Sequence, residues 1–368
     1  MERKGYASRF RVDFLDVVRN ISPTMKRSSK ASDIKVGVVG YGGAFNMGKL
    51  HLSEMKRAGM TPVAVAELDP TRLEAATKDF PGIETYRSLT EMLKKSDVNL
   101  VTMITPHNTH APLGLEALRA GRHVVCEKPM AIRTSECDAM IAAAKKSGVI
   151  VSTYHNRHWD GVILQGTKNI IQERCVGDIV RISAYMGSRG KPSDWWRTSK
   201  TMSGGILYDW GVHLLEYSLQ LIKSDIVEVS GFAKRGYWAP QTKWKADTIE
   251  DEGYAVVRFR NGVALSLVIT QLDSNPRRGF FEVTGTEGSY VFDWGANELI
   301  KREGNVTTTT RYPNPMNEGW RFYQNIADHL TKSTKLVITG EWARRPIHIL
   351  DLACQSAAKG KTFPAKYR

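Results

Sequence analysis

Cysteine is scarce in this chain of 368 residues: Cys126, Cys137, Cys175 and Cys354 stand apart, with no C-x-x-C spacing. That excludes a disulfide scaffold and a thiolate zinc site, and free thiols in a reducing compartment are expected. No apolar run approaches the ~20 residues that a membrane-spanning helix needs, so no membrane partner is expected. Internal repeats and low-complexity tracts are missing as well, which leaves an ordinary globular chain.

Charge is plentiful and unbalanced, with 52 Lys and Arg against 38 Asp and Glu, a net +14. The basic residues are scattered along the chain and not gathered into one block, so a nucleic-acid partner is not expected. With 42% hydrophobic residues the chain can bury a large core, and its length exceeds that of most single domains. Residues 1–33 form an arm. Phe10, Phe14, Leu15, Val17 and Val18 fit one short amphipathic helix, and the polar stretch MKRSSKASD follows. Asp13, Asp16 and Arg19 interrupt any secretory core, so the arm is read as packing on a neighbouring subunit or staying mobile. A cytoplasmic location is expected, with export through this arm left open.

Ile34 to Val39 reads as a β-branched strand running into Gly40, Tyr41, Gly42 and Gly43, with a helix opening near Met47. Strand, glycine turn and helix is the context of a dinucleotide fingerprint. The G-x-G-x-x-G pattern is imperfect, because Phe45 stands at its third glycine and Gly48 follows three residues later. Gly40 and Gly42 still permit a tight turn and close approach to a pyrophosphate, and the insertion Ala44 to Asn46 lengthens the loop over the cofactor. The next strand, Pro62 to Ala66, ends in Glu67. A carboxylate there accepts hydrogen bonds from both adenosine ribose hydroxyls and repels a 2′-phosphate, which favours NAD over NADP. Asp69 competes for that role, but capping a helix that has Pro70 in first position is its commoner use.

After a helix over Ser88 to Lys95, the strand Asn99 to Ile104 emerges into Thr105, Pro106, His107, Asn108, Thr109 and His110. Thr105 and Pro106 are placed on the nicotinamide side, Asn108 or Thr109 caps the next helix, and Gly121 closes it. His110 reads as a packing residue of that first turn. The strand Arg122 to Cys126 then stops at Glu127, Lys128 and Pro129. Its carboxyl end delivers a lysine to the crevice edge, and the proline fixes the backbone there; a surface ion pair is the plain alternative. A helix from Thr134 to Lys146 and a strand from Val149 to Thr153 lead to Tyr154, His155, Asn156 and Arg157.

In this order and spacing, GxG, a strand-end acid, TP-x-x-x-H, AL-x-AG-x-HV-x-x-EKP and N-x-R, the chain resembles the glucose–fructose oxidoreductase / inositol dehydrogenase / MocA family. The resemblance runs from Ile34 to the end of the chain. It implies an α/β protein: an N-terminal Rossmann dinucleotide-binding domain, 34–155, plus a C-terminal α+β domain, 156–368, with a large open, mostly antiparallel sheet. It further implies a homo-dimer or homo-tetramer built through that sheet. Candidate cofactor contacts are Gly40, Gly42, Gly43, Ala44, Phe45, Glu67, Thr105, Pro106, Asn108, His110, Glu127 and Lys128.

The second part is read as a crossover helix over Trp159 to Glu173 and a strand DIVRISAYMG. After them KPSDWWRTSKTMSGGILYDWGVHLLEYSLQ places Asp209 and His213 four apart on one helix face. Such a pair serves acid/base chemistry, binds a metal, or forms a buried hydrogen bond. The resemblance selects the first, since Gly204, Gly205, Asp209, Gly211 and His213 match the family's GG-x-x-x-D-x-G-x-H, whose aspartate and histidine meet the EKP lysine over the nicotinamide. No metal is expected. The resemblance also places Trp195, Trp196 and Arg197 at the substrate mouth, where indoles suit sugar faces and the arginine suits a hydroxyl pair or a carboxylate. The tryptophans fit a subunit interface equally well. Tyr154, Arg157 and His158 are further candidates. Beyond Lys223 the pattern turns to strands, VEVSGFAKR, EGYAVVRFR, VALSLVITQ, GFFEVTG and SYVFDW, with a hairpin turn at Asn261 and Gly262. Helices Glu318 to Leu330 and Arg344 to Ala358 close the chain.

The function expected is NAD-dependent oxidation of a secondary hydroxyl on a sugar, inositol or glycoside. His213 is the preferred base, with Lys128 on the reacting oxygen and Asp209 orienting one or both; a desolvated Lys128 is the rival base. One alternative is a glycoside hydrolase or lyase in which tightly held NAD oxidises a sugar carbon transiently so that the substituent is eliminated. Another is a non-catalytic sugar or nucleotide sensor, disfavoured because Lys128, Asp209 and His213 are all present.

Overall fold

A computed structural model describes residues 25–43 and 45–365. The amphipathic helix expected over Phe10 to Val18 and the cofactor candidate Ala44 lie outside the described residues. The short apolar runs of the first half become six parallel strands: β1 (Lys35–Val39), β2 (Thr61–Ala66), β3 (Glu84–Tyr86), β4 (Leu100–Met103), β5 (His123–Cys126) and β6 (Val151–Thr153). They are ordered β3-β2-β1-β4-β5-β6. Between them run α1 (Met47–Arg57), α2 (Pro70–Asp79), α3 (Leu89–Lys95), α4 (His107–Arg119) and α5 (Thr134–Ser147). Strands β4, β5 and β6 are buried at every residue, as a sheet with helices on both faces requires. The order reverses between β1 and β4, and the crevice at their carboxyl ends is where such sheets bind ligands.

Local signals explain most boundaries. Asp69 caps α2 by accepting from Thr71 N with Pro70 in first position, and Ser88 caps α3 by accepting from Glu91 N. The cap assigned to Asn108 or Thr109 is not there. Helix α4 has already begun at His107, because Pro106 (φ −56°, ψ 146°) makes the turn, and the Thr109 hydroxyl is taken by the Pro106 carbonyl. The described end of the arm is bonded to its own chain: Lys26 N donates to Gly148 O (2.8 Å) and Ser28 N to Leu330 O (3.1 Å).

The single helix expected over Trp159 to Glu173 is broken. A 3-10 turn at Asn156–Trp159, an extended Asp160, α6 (Gly161–Thr167) and a π turn at Lys168–Gln172 replace it. Gly161 abuts the Pro315 carbonyl and Gly166 the Phe292 ring, approaches that side chains at those positions would block. Next come β7 (Ile179–Gly187), α7 (Lys200–Ser203), α8 (Trp210–Leu221), β8 (Ile226–Lys234), β9 (Glu252–Phe259), β10 (Ala264–Thr270), β11 (Phe281–Gly285) and β12 (Ser289–Phe292). The chain closes with β13 (Ala296–Glu303), β14 (Val306–Pro313), α9 (Arg321–Lys332), α10 (Gly340–Lys359) and β15 (Phe363–Pro364). The second sheet is ordered β14-β13-β12-β11-β7-β10-β9-β8-β15 and is antiparallel except between β7 and β10.

Alternation decides which face is buried. In β9, Ala255 and Val257 point to the core under α8 and α10, while Val256 between them is exposed. Phe232 of β8 shares that outer face and is exposed as well. Among the described residues no helix is long and apolar enough to cross a membrane.

Candidate functional site

Strand β1 runs directly into the glycine loop. Gly40 takes φ 97° against the Ile104 carbonyl, where a Cβ would not fit. Gly48, one residue into α1, lies so close to the loop that a Cβ would fall 2.7 Å from Tyr41 Cδ2 and 2.9 Å from Gly40 O. Gly48 therefore supplies the helix-to-strand packing that the displaced third glycine of the fingerprint normally provides. Glu67 is fixed beneath the loop: Oε2 accepts from Tyr41 N (2.8 Å) and Oε1 from Leu68 N (2.7 Å) and Asp69 N (3.1 Å). A close backbone approach, the open end of α1 and a carboxylate at the tip of β2 fit a dinucleotide. Sequence reasoning missed Arg72, on α2, whose Nη1 lies 3.8 Å from Glu67 Oε2 and whose side chain covers Gly42. A basic residue one turn into the helix after the strand-end acid was the available signal.

The carboxyl ends of β4 and β5 carry the next group. Thr105 Oγ1 lies 2.6 Å from Thr109 Oγ1, Pro106 is half-buried and Asn108 is exposed. His110 is buried between the carbonyls of Thr105 (2.9 Å) and Pro129 (2.8 Å), tying the two loops together as a packing residue would. Lys128 Nζ donates to Asp209 Oδ1 at 2.6 Å, across the join between the two halves. Asp209 is not inside α8, as its spacing from His213 implied. It stands at the N-cap position after Gly204 and Gly205, both with positive φ. Burial alone would raise the Asp209 carboxyl, but the Lys128 and Arg197 charges and the Lys128 hydrogen bond outweigh it and hold Asp209 below the usual range. His213, in the first turn of α8, is driven the other way by burial and then by the Lys128 and Arg157 charges, well below an ordinary imidazole. It is neutral near pH 7, and its Nδ1 has no hydrogen-bond partner among the described residues.

Glu127 does not face the crevice. Its Oε1 meets His51 Nε2 (3.0 Å), His51 Nδ1 meets the Tyr323 hydroxyl (2.7 Å), and that hydroxyl meets Thr102 Oγ1 (3.2 Å). The other oxygen, Oε2, accepts from Lys128 N (3.0 Å), so this buried chain fixes the backbone that aims the lysine. Burial opposes the Glu127 charge, yet His51 and Lys128 keep the carboxyl below its usual range. His51 was also missed; only its place one turn after Gly48 marks it.

A cavity of ≈ 460 Å³ opens beside Asp209, walled by His107, Lys191, Trp195, Arg197, Trp210 and Gln271. Arg197 lies over the rings of Trp195 (4.7 Å), Trp196 (5.1 Å) and Phe45 (5.2 Å), so the long glycine loop reaches the second half of the chain. Trp196 itself stands behind this wall, edge-on to His107 at 4.7 Å. His107 was not singled out from sequence; Nδ1 meets Ser203 O (2.8 Å), and burial and then His110 lower its basicity. Arg157 pairs with Asp160 (2.9 Å) and lies over Trp210 (5.1 Å), beside a second cavity. Tyr154 and His158 line neither cavity. Tyr154 is buried against His51 and Phe322, and His158 Nδ1 is held by Glu216 Oε1 at 2.6 Å, so these two side chains are taken up by the core. His155, between them, has neither ring nitrogen bonded to a described residue, and burial lowers it to about 4.

Comparison with known proteins agrees with this geometry. Residues 34–155 match the oxidoreductase family, NAD-binding Rossmann fold, and residues 164–291 match the GFO/IDH/MocA C-terminal domain. The chain is 25% identical over 366 residues to scyllo-inositol 2-dehydrogenase (NADP(+)) of Bacillus subtilis, covering 92% of this chain and 98% of that one. It is 27% identical over 336 residues to levoglucosan dehydrogenase of Pseudarthrobacter phenanthrenivorans, covering 78% and 83%. A solved NAD-binding protein from Listeria innocua superposes with a TM-score of 0.76 at 26% identity, covering 90% of this chain and 96% of that one. Levoglucosan dehydrogenase in complex with NADH and levoglucosan shares the fold, with a TM-score of 0.77 at 20% identity over 90% and 99% of the two chains. Both halves match in chain order, and together they take in more than half of the sequence, so the chain belongs to the Gfo/Idh/MocA family of NAD(P)-dependent oxidoreductases.

Proposed function

We propose that this protein is an NAD-dependent dehydrogenase acting on a secondary hydroxyl of a sugar, inositol or glycoside. The observation that carries the reading is the 2.6 Å pair between Lys128 and Asp209, with neutral His213 one helical turn on, at the carboxyl edge of the first sheet. Relatives named for scyllo-inositol, myo-inositol, levoglucosan and glucose 6-phosphate support the substrate class.

When bound, the nicotinamide takes up the hydride that leaves the alcohol carbon. The chain handles the proton and the charge. His213, kept uncharged by burial and its cationic neighbours, accepts the hydroxyl proton. Lys128, engaged as a cation by ionised Asp209, donates a hydrogen bond to the reacting oxygen as negative charge develops on it. Asp209 aims the ammonium, which makes Lys128 a donor here and leaves the base role to His213.

NAD is the proposed cofactor because Glu67 disfavours a 2′-phosphate, with the preference over NADP moderated by Arg72 beside it. The outer face of the second sheet, with Phe232 and Val256 exposed, is the proposed homo-oligomer surface, and cytoplasmic operation fits the free cysteines. The test screens sugars, inositols and glycosides with NAD and NADP for absorbance at 340 nm, and assays the same set for released aglycone. Steady reduction of free NAD by a secondary alcohol supports the reading. Aglycone release without net reduction replaces it with redox-neutral elimination.

A further inference from the structure

The larger cavity beside Asp209 is not the only one near the reacting groups. Beside Trp294 and Arg157, both neighbours of Trp210, a cavity of ≈ 370 Å³ is walled by Arg157, Asp160, Trp294, Asn314 and Met316. We infer that this cavity is a second sugar subsite and that the substrate is a disaccharide or longer saccharide rather than a free monosaccharide; the inference rests on the dehydrogenase reading above.

The indole of Trp294 is 49% exposed on this cavity, yet it is held from behind by Phe280, stacked at 4.0 Å and 19°. Phe280 covers one face and the Arg157 guanidinium lies over the ring, so the exposed part of this fixed indole offers an apolar edge to a pyranose ring and loses little rotamer freedom on binding. Polar groups surround that edge. The Arg157 guanidinium lies 5.9 Å from the indole and is paired with the buried Asp160 carboxylate. Asn314 spends its amide nitrogen on the carbonyls of Asp293 (2.8 Å) and Trp294 (3.0 Å), but its buried oxygen has no partner among the described residues. A buried acceptor left open beside an aromatic wall is satisfied by a ligand hydroxyl. The carboxylate next to the arginine makes the pocket a poor fit for a phosphate and a good one for neutral hydroxyls.

Position completes the case. Trp210 lines the larger cavity and touches Trp294 (5.7 Å) and Arg157 (5.1 Å), while His213 lies 5.6 Å from its ring. Trp210 therefore links the Asp209 cavity to Trp294 and Arg157 of the second one, and a saccharide bound beside Asp209 extends past Trp210 onto Trp294.

The experiment compares methyl glycosides of glucose, galactose and mannose with disaccharides carrying the same sugar at the non-reducing end. Holoenzyme kcat/KM is read at 340 nm, and binding to NADH-loaded enzyme by saturation-transfer NMR. At least one disaccharide is expected to exceed its methyl glycoside by about tenfold in kcat/KM, the worth of one aromatic contact. In Trp294→Ala that advantage disappears while the methyl glycoside stays within about twofold, and Trp294→Phe, which keeps an aromatic edge, retains part of it. Equal use of both lengths by the wild type overturns the inference, as does a Trp294→Ala variant that loses both alike or changes assembly size with selectivity intact. Should no sugar reduce the cofactor, the dehydrogenase reading fails separately, and the NMR arm still decides: disaccharide signals lost in Trp294→Ala support the subsite, and their absence or persistence sinks it.

Discussion

The first sheet and the second meet at one crevice but equip it in different ways. The parallel sheet contributes fixed positions at strand-to-helix joints: the turn at Gly40, the carboxylate of Glu67, the lysine after β5. Each is held from below, as Lys128 is by the Glu127, His51 and Tyr323 chain. The antiparallel sheet contributes side chains from loops and one helix start, Trp195, Arg197, Asp209 and His213, with fewer bonds beneath them. Holding cofactor and lysine needs rigidity shared by many substrates, whereas the groups proposed to read the substrate sit where the chain is free to vary.

Removing the first sheet's contribution has the largest expected effect. Lys128→Met should lower kcat by about a thousandfold, ~4 kcal/mol of lost stabilisation of the developing oxyanion, with NADH affinity unchanged by fluorescence titration. Retained turnover takes Lys128 out of the chemistry. Acid should also lower stability. His123 and His155 are both lowered to about 4 by burial. A depressed histidine is stabilising above its unfolded pKa and loses that contribution as pH falls from ~6.5 towards 4, about 2 kcal/mol for each at pH 5. Denaturant melts at pH 7 and pH 5 measure this, and equal stability at both contradicts the burial argument.

The same contrast governs how much was legible in the sequence. Lys128, Glu67 and the glycine turn stand at strand ends, where a change from β-branched runs to Gly, acid or Lys-Pro marks them, and Asp69 announced its helix as a cap. Gly48 could be seen but not assigned, because only the three-dimensional approach to Tyr41 shows that it replaces the third glycine. His51, His107 and Arg72 are lone residues on helices, and what gives them a role is a partner distant in sequence. Strand β14 was passed over since VTTTTRYP is polar on both faces and exposed nearly throughout, and β13 because ANELIKRE carries its large apolar residues, Leu299 and Ile300, side by side, so neither leaves an alternation to read. Tyr154, Arg157 and His158 were read together as pocket residues after the strand end at Thr153, yet neighbouring residues of a tight turn point in different directions, and of the three only Arg157 lines a cavity.

Smaller effects refine the comparison. His51→Ala leaves the Glu127 carboxylate and the Tyr323 hydroxyl short of a buried partner, a loss of about 2 kcal/mol that thermal denaturation reads. If that chain aims Lys128, kcat should fall with it while the KM for cofactor holds; a variant with normal kcat reduces the chain to a structural feature. Arg72→Ala, the mildest change, should raise the preference for NAD over NADP by about fivefold in kcat/KM, since Glu67 then faces a 2′-phosphate alone. An unchanged ratio means Arg72 does not touch the ribose end.

The central claim is that Lys128 from one sheet and Asp209 from the other act as a single unit. A double-mutant cycle of Lys128→Met and Asp209→Asn, read as kcat with a sugar found in the screen, tests it most directly. The account expects the double variant to be no slower than Lys128→Met alone, because aiming a lysine that is gone has no value. Losses that multiply would mean two groups working independently, and the proposed division of labour would be contradicted.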